Sequence, residues 1–396
     1  VNLGVDPDDL ATCVQCGLCL TSCPTYRVTG NEAWSPRGRI HLMRDVERGA
    51  LEVTDDVTRA FETCIQCLGC ETACPSGVPY GRLIERTRTT LAARGTITPR
   101  WYRWALAAVW HPRLLHAGSA VLSAAGRRGL PVRRIGIPLD VPIRRRPHRT
   151  SGGDVYLFTG CVMDSWQRHV HEASQLALEA VGFGVTPTGA GAPCCGALHA
   201  HAGLPRGIER AVSTLLRALD ASTPIVVDAA GCGAAMKGYG THLGSPEAAA
   251  LSARVVDVCE LLATRLDRLP ERPRLDVRVA IQDPCHLRHV QRVHAATREV
   301  LARVVREVVE LDDDGICCGA GGGYSVLEPA LAAEVRARKL AAVDRARPDV
   351  VASANPGCAL HLGVGPHRVV HPVELVAAAL RETPLDLADR RPPATS

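Results

Sequence analysis

The run Cys64-Ile-Gln-Cys67-Leu-Gly-Cys70-Glu-Thr-Ala-Cys74-Pro75 decides how the first part of this chain must fold. An earlier twin, Cys13-Val-Gln-Cys16-Gly-Leu-Cys19-Leu-Thr-Ser-Cys23-Pro24, has the same spacing. Both read C-x2-C-x2-C-x3-C-P, a pattern that holds [4Fe–4S] clusters. Three thiolates at steps of three wrap one cubane, and in paired runs the fourth ligates the other cluster. The spacing therefore predicts Cys13, Cys16, Cys19 and Cys74 around one cluster and Cys64, Cys67, Cys70 and Cys23 around the other. Zinc is the competing reading, but a zinc site takes two C-x2-C pairs and four cysteines in all. Eight cysteines in two complete runs, each closed by Pro, exceed that need.

Working outward, the 396 residues allow two or three domains with real cores. Seventeen cysteines are far beyond chance. The polar, acidic start, Val1 to Leu10, does not read as a secretory signal. The thiols are therefore expected to stay reduced in the cytosol, as metal ligands and not disulfides. No apolar run reaches the length that spans a bilayer. The net charge of +5 is local: eight Arg and one Asp fall between Arg127 and Arg149, a net +7 that leaves the rest near −2. Such a balance gives no general argument for nucleic-acid binding, and none is expected.

Residues 1–97 form a ferredoxin-like part. Its linker carries Trp34-Ser-Pro-Arg37-Gly-Arg39-Ile and two helix-compatible stretches, longer than a minimal ferredoxin needs. Arg37 and Arg39 either pair with acids, offset negative clusters, or sit solvated on a helix start. Residues 98–153 are a connector. Trp101, Trp104 and Ala108 fall on one side of a helix that ends near Trp110, and an Arg- and Pro-rich segment follows that reads as extended and poorly packed. This segment either touches an anionic membrane or is a solvated linker behind a packed helix.

Residues 154–382 hold an internal repeat. Cys161, Cys194-Cys195-Gly196 and Cys232 recur as Cys285, Cys317-Cys318-Gly319 and Cys358, at offsets of 124, 123 and 126. The copies cover residues 154–270 and 271–382, and residues 383–396 read as a flexible tail. Short apolar runs at Val155–Thr159, Ile225–Asp228, Val277–Ile281 and Val350–Ser353 each end shortly before a cysteine, and a helix pattern covers Gln167–Val181. Alternating strand and helix predicts α/β units on mostly parallel sheets, with ligands beyond the strand ends where the cysteines fall. The expected class is α+β overall, an N-terminal helical dicluster ferredoxin domain followed by a duplicated α/β domain.

Adjacent cysteines can serve one ligand only on a tight turn, which the following Gly permits. Gly319-Ala-Gly321-Gly-Gly323 fails as a dinucleotide loop because Tyr324 stands where Gly is required. His199 and His201 follow the first pair, as donors to sulfur, proton relays or unrelated loop residues. Cys259 lies outside the repeat and reads as a buried small hydrophobe.

The C…CCG…C pattern, present twice, resembles the CCG-domain family shared by heterodisulfide reductase subunits and their relatives. Joined to the paired ferredoxin runs, it is similar to glycolate oxidase iron–sulfur subunits. The likeness rests on Ser35-Pro-Arg-Gly-Arg-Ile, Glu71-Thr-Ala-Cys-Pro-Ser-Gly, Cys194-Cys-Gly-Ala-Leu-His and Ser353-Ala-Asn, and spans all but the connector. Iron–sulfur subunits of anaerobic glycerol-3-phosphate dehydrogenase and lactate utilisation stand close by. One departure matters: the five-cysteine sites of heterodisulfide reductase end in C-x2-C, but Ala235 and His361 stand at those positions here. Each unit thus has four cysteines (Cys161, Cys194, Cys195, Cys232; Cys285, Cys317, Cys318, Cys358), enough for one or two further clusters.

Neither a flavin, nicotinamide or phosphate motif nor a catalytic triad is legible. The resemblance implies an electron-transfer subunit of a flavin-dependent 2-hydroxyacid (glycolate or D-lactate) dehydrogenase. Partner subunits would carry FAD, and the acceptor would be quinone or another membrane component. The place implied is the cytoplasm, with a peripheral position on the inner face of the cell membrane open. A self-contained disulfide or quinone reductase, and a structural or regulatory iron sensor, are the other readings.

Overall fold

Two side-chain caps set the N-terminal part. Ser35 Oγ accepts from Gly38 N and starts the helix Pro36–Glu47, and Thr54 accepts from Val57 N and starts Asp55–Glu62. A third helix, Tyr80–Ala93, packs against both. Ile40, Met43, Phe61, Leu83, Ile84 and Leu91 fill the space between, and the cysteine runs loop around that core. The computed structural model describes residues 2–129, 132, 138 and 141–382.

The repeat is two four-stranded sheets. The first holds β1 (Val155–Phe158), β2 (Val185–Pro187), β3 (Ile225–Val227) and β4 (Val255–Asp257). The second holds β5 (Leu275–Ile281), β6 (Val305–Val309), β7 (Val350–Ala352) and β8 (Val369–Val370). Their orders, β2-β1-β3-β4 and β6-β5-β7-β8, are the same order twice, and every pairing is parallel. Registers such as Leu157 with Val226 and Ala280 with Val351 set buried residues side by side. Central strands covered on both faces read as continuous apolar runs, as Ile225-Val-Val227 does. The four strands legible in the sequence are β1, β3, β5 and β7; the flanking strands are shorter or more polar and do not stand out in the pattern.

Both sheets share one core, in which Leu157 and Val226 join Val279 and Val350. The helix Arg168–Ala180 of the first copy packs on Pro372–Arg381 of the second, and Val258–Ala263 packs on His294–Val304. Each repeat therefore covers the other. The α+β class holds, with helix at 55% and strand at 8%.

The connector differs from expectation. The helix Arg100–Ala108 is present, but a second helix, Pro112–Gly126, follows it. Residues 141–149 are pinned: Asp164 takes Arg145 at 2.8 Å and His148 at 2.7 Å, and Arg149 pairs with Glu179. The reason is that a buried carboxylate needs partners, and this segment supplies them. The middle of the basic stretch and the tail 383–396 lie outside the described residues.

Candidate iron–sulfur centres

The two ferredoxin runs adopt the same backbone. Gln15 and Gln66, at equivalent places, are left-handed (φ 59° and 58°), as are Gly17 and Leu68 two residues later (φ 85° and 58°). A side-chain-bearing residue pays about 1–2 kcal/mol for this conformation. Alternating hands turn successive N–H groups to one side and make the anion-binding concavity used at iron–sulfur sites. Cys13, Cys16, Cys19 and Cys74 line one pocket. Cys23 lies instead beside Cys64 and Cys67. Cys70 lines the same pocket, so the fourth cysteine of each run lies near cysteines of the other run.

Burial pushes the Cys19 thiol up to about 11, and raises Cys23 and Cys70 too. Four such thiols ionise together only around cationic metal. Arg39 supplies one fixed positive charge: it is buried, donates to Ala60 O at 2.6 Å and Thr63 Oγ1 at 3.1 Å, and faces Cys64 and Cys23. Arg37 does otherwise, bonding Glu32 at 2.6 Å and Gln15 O at 3.1 Å. Tyr80 Oη donates to Cys64 Sγ at 3.5 Å.

The repeat gathers its cysteines as the strand order requires. Cys161 and Cys285 follow β1 and β5, the Cys-Cys pairs follow β2 and β6, and Cys232 and Cys358 follow β3 and β7. All sit beyond carboxyl ends, around the point where the order reverses. In the first unit Cys194 lies beside Cys161 and Cys195, and Cys195 beside Cys232. In the second, Cys317 lies beside Cys285 and Cys318, and Cys318 beside Cys358. In both, the two neighbouring thiols push the second cysteine of the pair toward thiolate. The turns match as well. Gly196 N donates to Cys194 Sγ at 3.3 Å and Gly319 N to Cys317 Sγ at 3.4 Å, with both glycines left-handed (φ 77° and 94°). Asn355 Nδ2 adds a donor to Cys358 Sγ at 3.4 Å.

The second unit meets the ferredoxin part. Cys67 and Cys317 pack side by side, and this contact draws Cys67 toward thiolate. Ile65, Tyr324 and Val335 close around them. Beside this seam, His289 Nδ1 lies 3.1 Å from Thr72 Oγ1. Arg88 donates to Cys64 O at 2.6 Å and to His201 O at 2.9 Å, and so ties the ferredoxin part to the first unit. Asn355 Oδ1 accepts from Gly231 N at 3.0 Å and joins the two repeats.

The remaining candidates divide. His199 Nε2 accepts from Trp110 Nε1 at 3.1 Å, so its proton sits on Nδ1, a buried donor without a protein partner near Cys195. His201 packs edge-on to His286, with ring centroids 5.2 Å apart. His361 gives Nε2 to Ala332 O at 3.1 Å and lies near Cys318. Cys259 is fully buried at a helix–helix seam, as a small hydrophobe. Arg88, Asn355 and Trp110 do not stand out in the sequence as site residues; their roles arise from contacts between distant segments. Thiol quartets, backbone and side-chain N–H donors aimed at sulfur, and an orphan donor on His199 fit iron–sulfur clusters.

Two family models match: a 4Fe-4S dicluster domain over residues 9–78, and the CCG cysteine-rich domain twice, over 155–237 and 279–363. The glycolate oxidase iron–sulfur subunit of Escherichia coli K12 is 32% identical over 94% of this chain and 95% of its own. The chain belongs to that family. The probable glycolate oxidase iron–sulfur subunit of Bacillus subtilis 168 is also 32% identical, over 92% of this chain and 90% of its own. A fumarate reductase (CoM/CoB) subunit from Methanothermobacter marburgensis is 28% identical over 94% of this chain and 73% of its own. This member of the glycolate oxidase iron–sulfur subunit family carries iron–sulfur clusters, including those of its 4Fe-4S dicluster domain, and its role is electron transfer. No helix among its described residues is long and apolar enough to cross a membrane.

Proposed function

We propose that this chain is the electron-transfer subunit of a flavin-dependent 2-hydroxyacid dehydrogenase acting on glycolate or D-lactate. A partner subunit holds FAD and oxidises the acid, and electrons leave toward quinone or another membrane acceptor. The setting is cytoplasmic. Residues 1–97 hold two clusters, on Cys13, Cys16, Cys19 and Cys74 and on Cys64, Cys67, Cys70 and Cys23. Residues 98–153 connect them to the repeats at 154–270 and 271–382, whose quartets Cys161, Cys194, Cys195, Cys232 and Cys285, Cys317, Cys318, Cys358 hold the remaining cluster content. When bound, such clusters supply one-electron carriers.

The observation that carries the reading is the Cys67–Cys317 contact, which leaves no protein layer between the two parts. Arg39 favours the added negative charge of a reduced site, and N–H donors to Cys194, Cys317 and Cys358 act in the same direction. Ala235 and His361, in place of fifth cysteines, weigh against self-contained cleavage of a disulfide. The test is to tag this chain, recover the complex without oxygen, and assay dye reduction. Glycolate- or D-lactate-driven reduction dependent on a co-purified flavoprotein supports the reading. Turnover driven by glycerol 3-phosphate alone, or disulfide or quinone reduction by the isolated chain, overturns it.

A further inference from the structure

The helix Pro112–Gly126 is inside out. Its inner face buries Ala120 and three polar residues, His116, Ser119 and Ser123. Each has a partner there: His116 Nε2 with Ile143 O at 3.4 Å, Ser119 Oγ accepting from Trp166 Nε1 at 2.9 Å, and Ser123 Oγ accepting from Val141 N at 3.3 Å. Its outer face is Leu114, Ala117, Gly118, Val121 and Leu122, spaced i, i+3, i+4, i+7, i+8 and all exposed. Leu114 is 62% and Val121 69% exposed. A helix on a water-facing surface places these classes the other way round. The preceding helix, Arg100–Ala108, buries Tyr102 and Leu106 and turns out Trp101 and Trp104, 54% and 79% exposed. Two consecutive helices thus present apolar faces outward, which marks an interaction surface.

Charge identifies the occupant. From Arg86 to Leu139 the sequence has ten Arg and neither Asp nor Glu. Arg100, Arg113, Arg127 and Arg128 stand exposed at the ends of the two helices. Exposed arginines flanking an apolar stripe that bears tryptophan match anionic headgroups above acyl chains. Neither helix is long and apolar enough to cross a bilayer. We propose that the outward face of these two helices lies in the headgroup–acyl boundary of an anionic bilayer. Arg side chains would reach the phosphates, and Trp101, Trp104, Leu114 and Val121 would enter beneath them. This stands whichever acid the complex oxidises, because binding is read without turnover.

The test uses the full-length, cluster-containing chain and sedimentation with vesicles of phosphatidylcholine, with or without phosphatidylglycerol. Wild type is expected to bind the anionic vesicles at least about tenfold more tightly than the neutral ones, and to release in salt. A Trp104→Ser, Leu114→Gln, Val121→Gln variant that keeps its visible cluster absorption should lose about tenfold or more. Lipids brominated near the headgroup should quench wild-type tryptophan fluorescence, which decides the matter if the variant fails to fold. Wild type left in the supernatant, a folded variant that binds like wild type, or binding without quenching would each overturn the proposal. A protein partner that covers this face while vesicles go unbound would do so too.

Discussion

The side chain of Cys67, in the second ferredoxin run, packs beside that of Cys317, in the second Cys-Cys-Gly turn. The side chains of the first Cys-Cys-Gly turn have their cysteine neighbours within their own unit, Cys161 and Cys232. The duplicated units are therefore alike in local geometry and unlike in placement.

Iron content tests the second quartet. Anaerobically isolated protein should hold more than about eight iron atoms per chain, the sum of two cubanes. Cys317→Ser should bring the count down toward eight, and Cys64→Ser should lower it from the ferredoxin side and abolish substrate-driven dye reduction. Iron and acid-labile sulfide assays check both. A wild-type count of about eight would show that the repeat binds no cluster.

Gly319→Ala is expected to disturb the second turn. At φ 94° a Cβ would stand 2.8 Å from Ala332 O and 3.1 Å from Val335 Cβ. Backbone cannot yield there as a flexible side chain would, so the cost should exceed about 1 kcal/mol. Loss of the extra iron with the dicluster spectrum intact is the expected result. Gly196→Ala, with Gly207 O at 2.8 Å, should do the same to the first turn.

Arg39→Met removes a buried guanidinium and its bonds to Ala60 O, which keeps the Thr63 hydroxyl as a donor, and to Thr63 Oγ1. Loss of a charged hydrogen bond of this kind costs about 1.5–3 kcal/mol. Taking a positive charge from beside Cys23 and Cys64 also disfavours the reduced site, so its midpoint potential should fall. Denaturant melts and a redox titration followed by electron paramagnetic resonance measure the two effects.

Asp164 anchors the end of the connector. Burial pushes its carboxyl up, but the bond from His148 and the charges of Arg145 and Arg168 outweigh it and hold the pKa down to about 2. A depressed carboxylate stabilises the fold above its unfolded value near 4, and that contribution disappears as pH falls toward 2. At 1.36 kcal/mol per unit it amounts to about 2.5 kcal/mol at neutral pH. Asp164→Asn should lose roughly that amount, lack this part of the acid slope, and expose Arg145 and Arg149 to trypsin. Stability curves of both proteins between pH 2 and 6 test the sign.

Much of the site was legible because cluster chemistry writes itself along the chain. The spacing of Cys13 to Cys23 and Cys64 to Cys74 marked a dicluster domain, and the offsets between Cys161 and Cys285 exposed the duplication. Strands buried on both faces, such as Ile225–Val227, announced themselves as apolar runs. The second connector helix did not, because Leu114, Val121 and Leu122 face out while His116, Ser119 and Ser123 are buried with Ala120, nearly the reverse of the pattern by which helices are read. Arg37 and Arg39 were equivalent in sequence; one turned to Glu32 at the surface and the other went under, toward Cys64.

From the order of residues alone came the chemistry: which sulfurs group, how many units repeat, and that the chain handles electrons. That much is local, since ligand spacing and strand–cysteine succession are properties of short segments. Only the folded chain decided that the second repeat meets the ferredoxin runs cysteine to cysteine while the first meets them through His201, and that Arg88 and Asn355 lock the parts together. Those outcomes depend on how one shared core packs both sheets, a balance of contacts between residues far apart in sequence that no short pattern encodes.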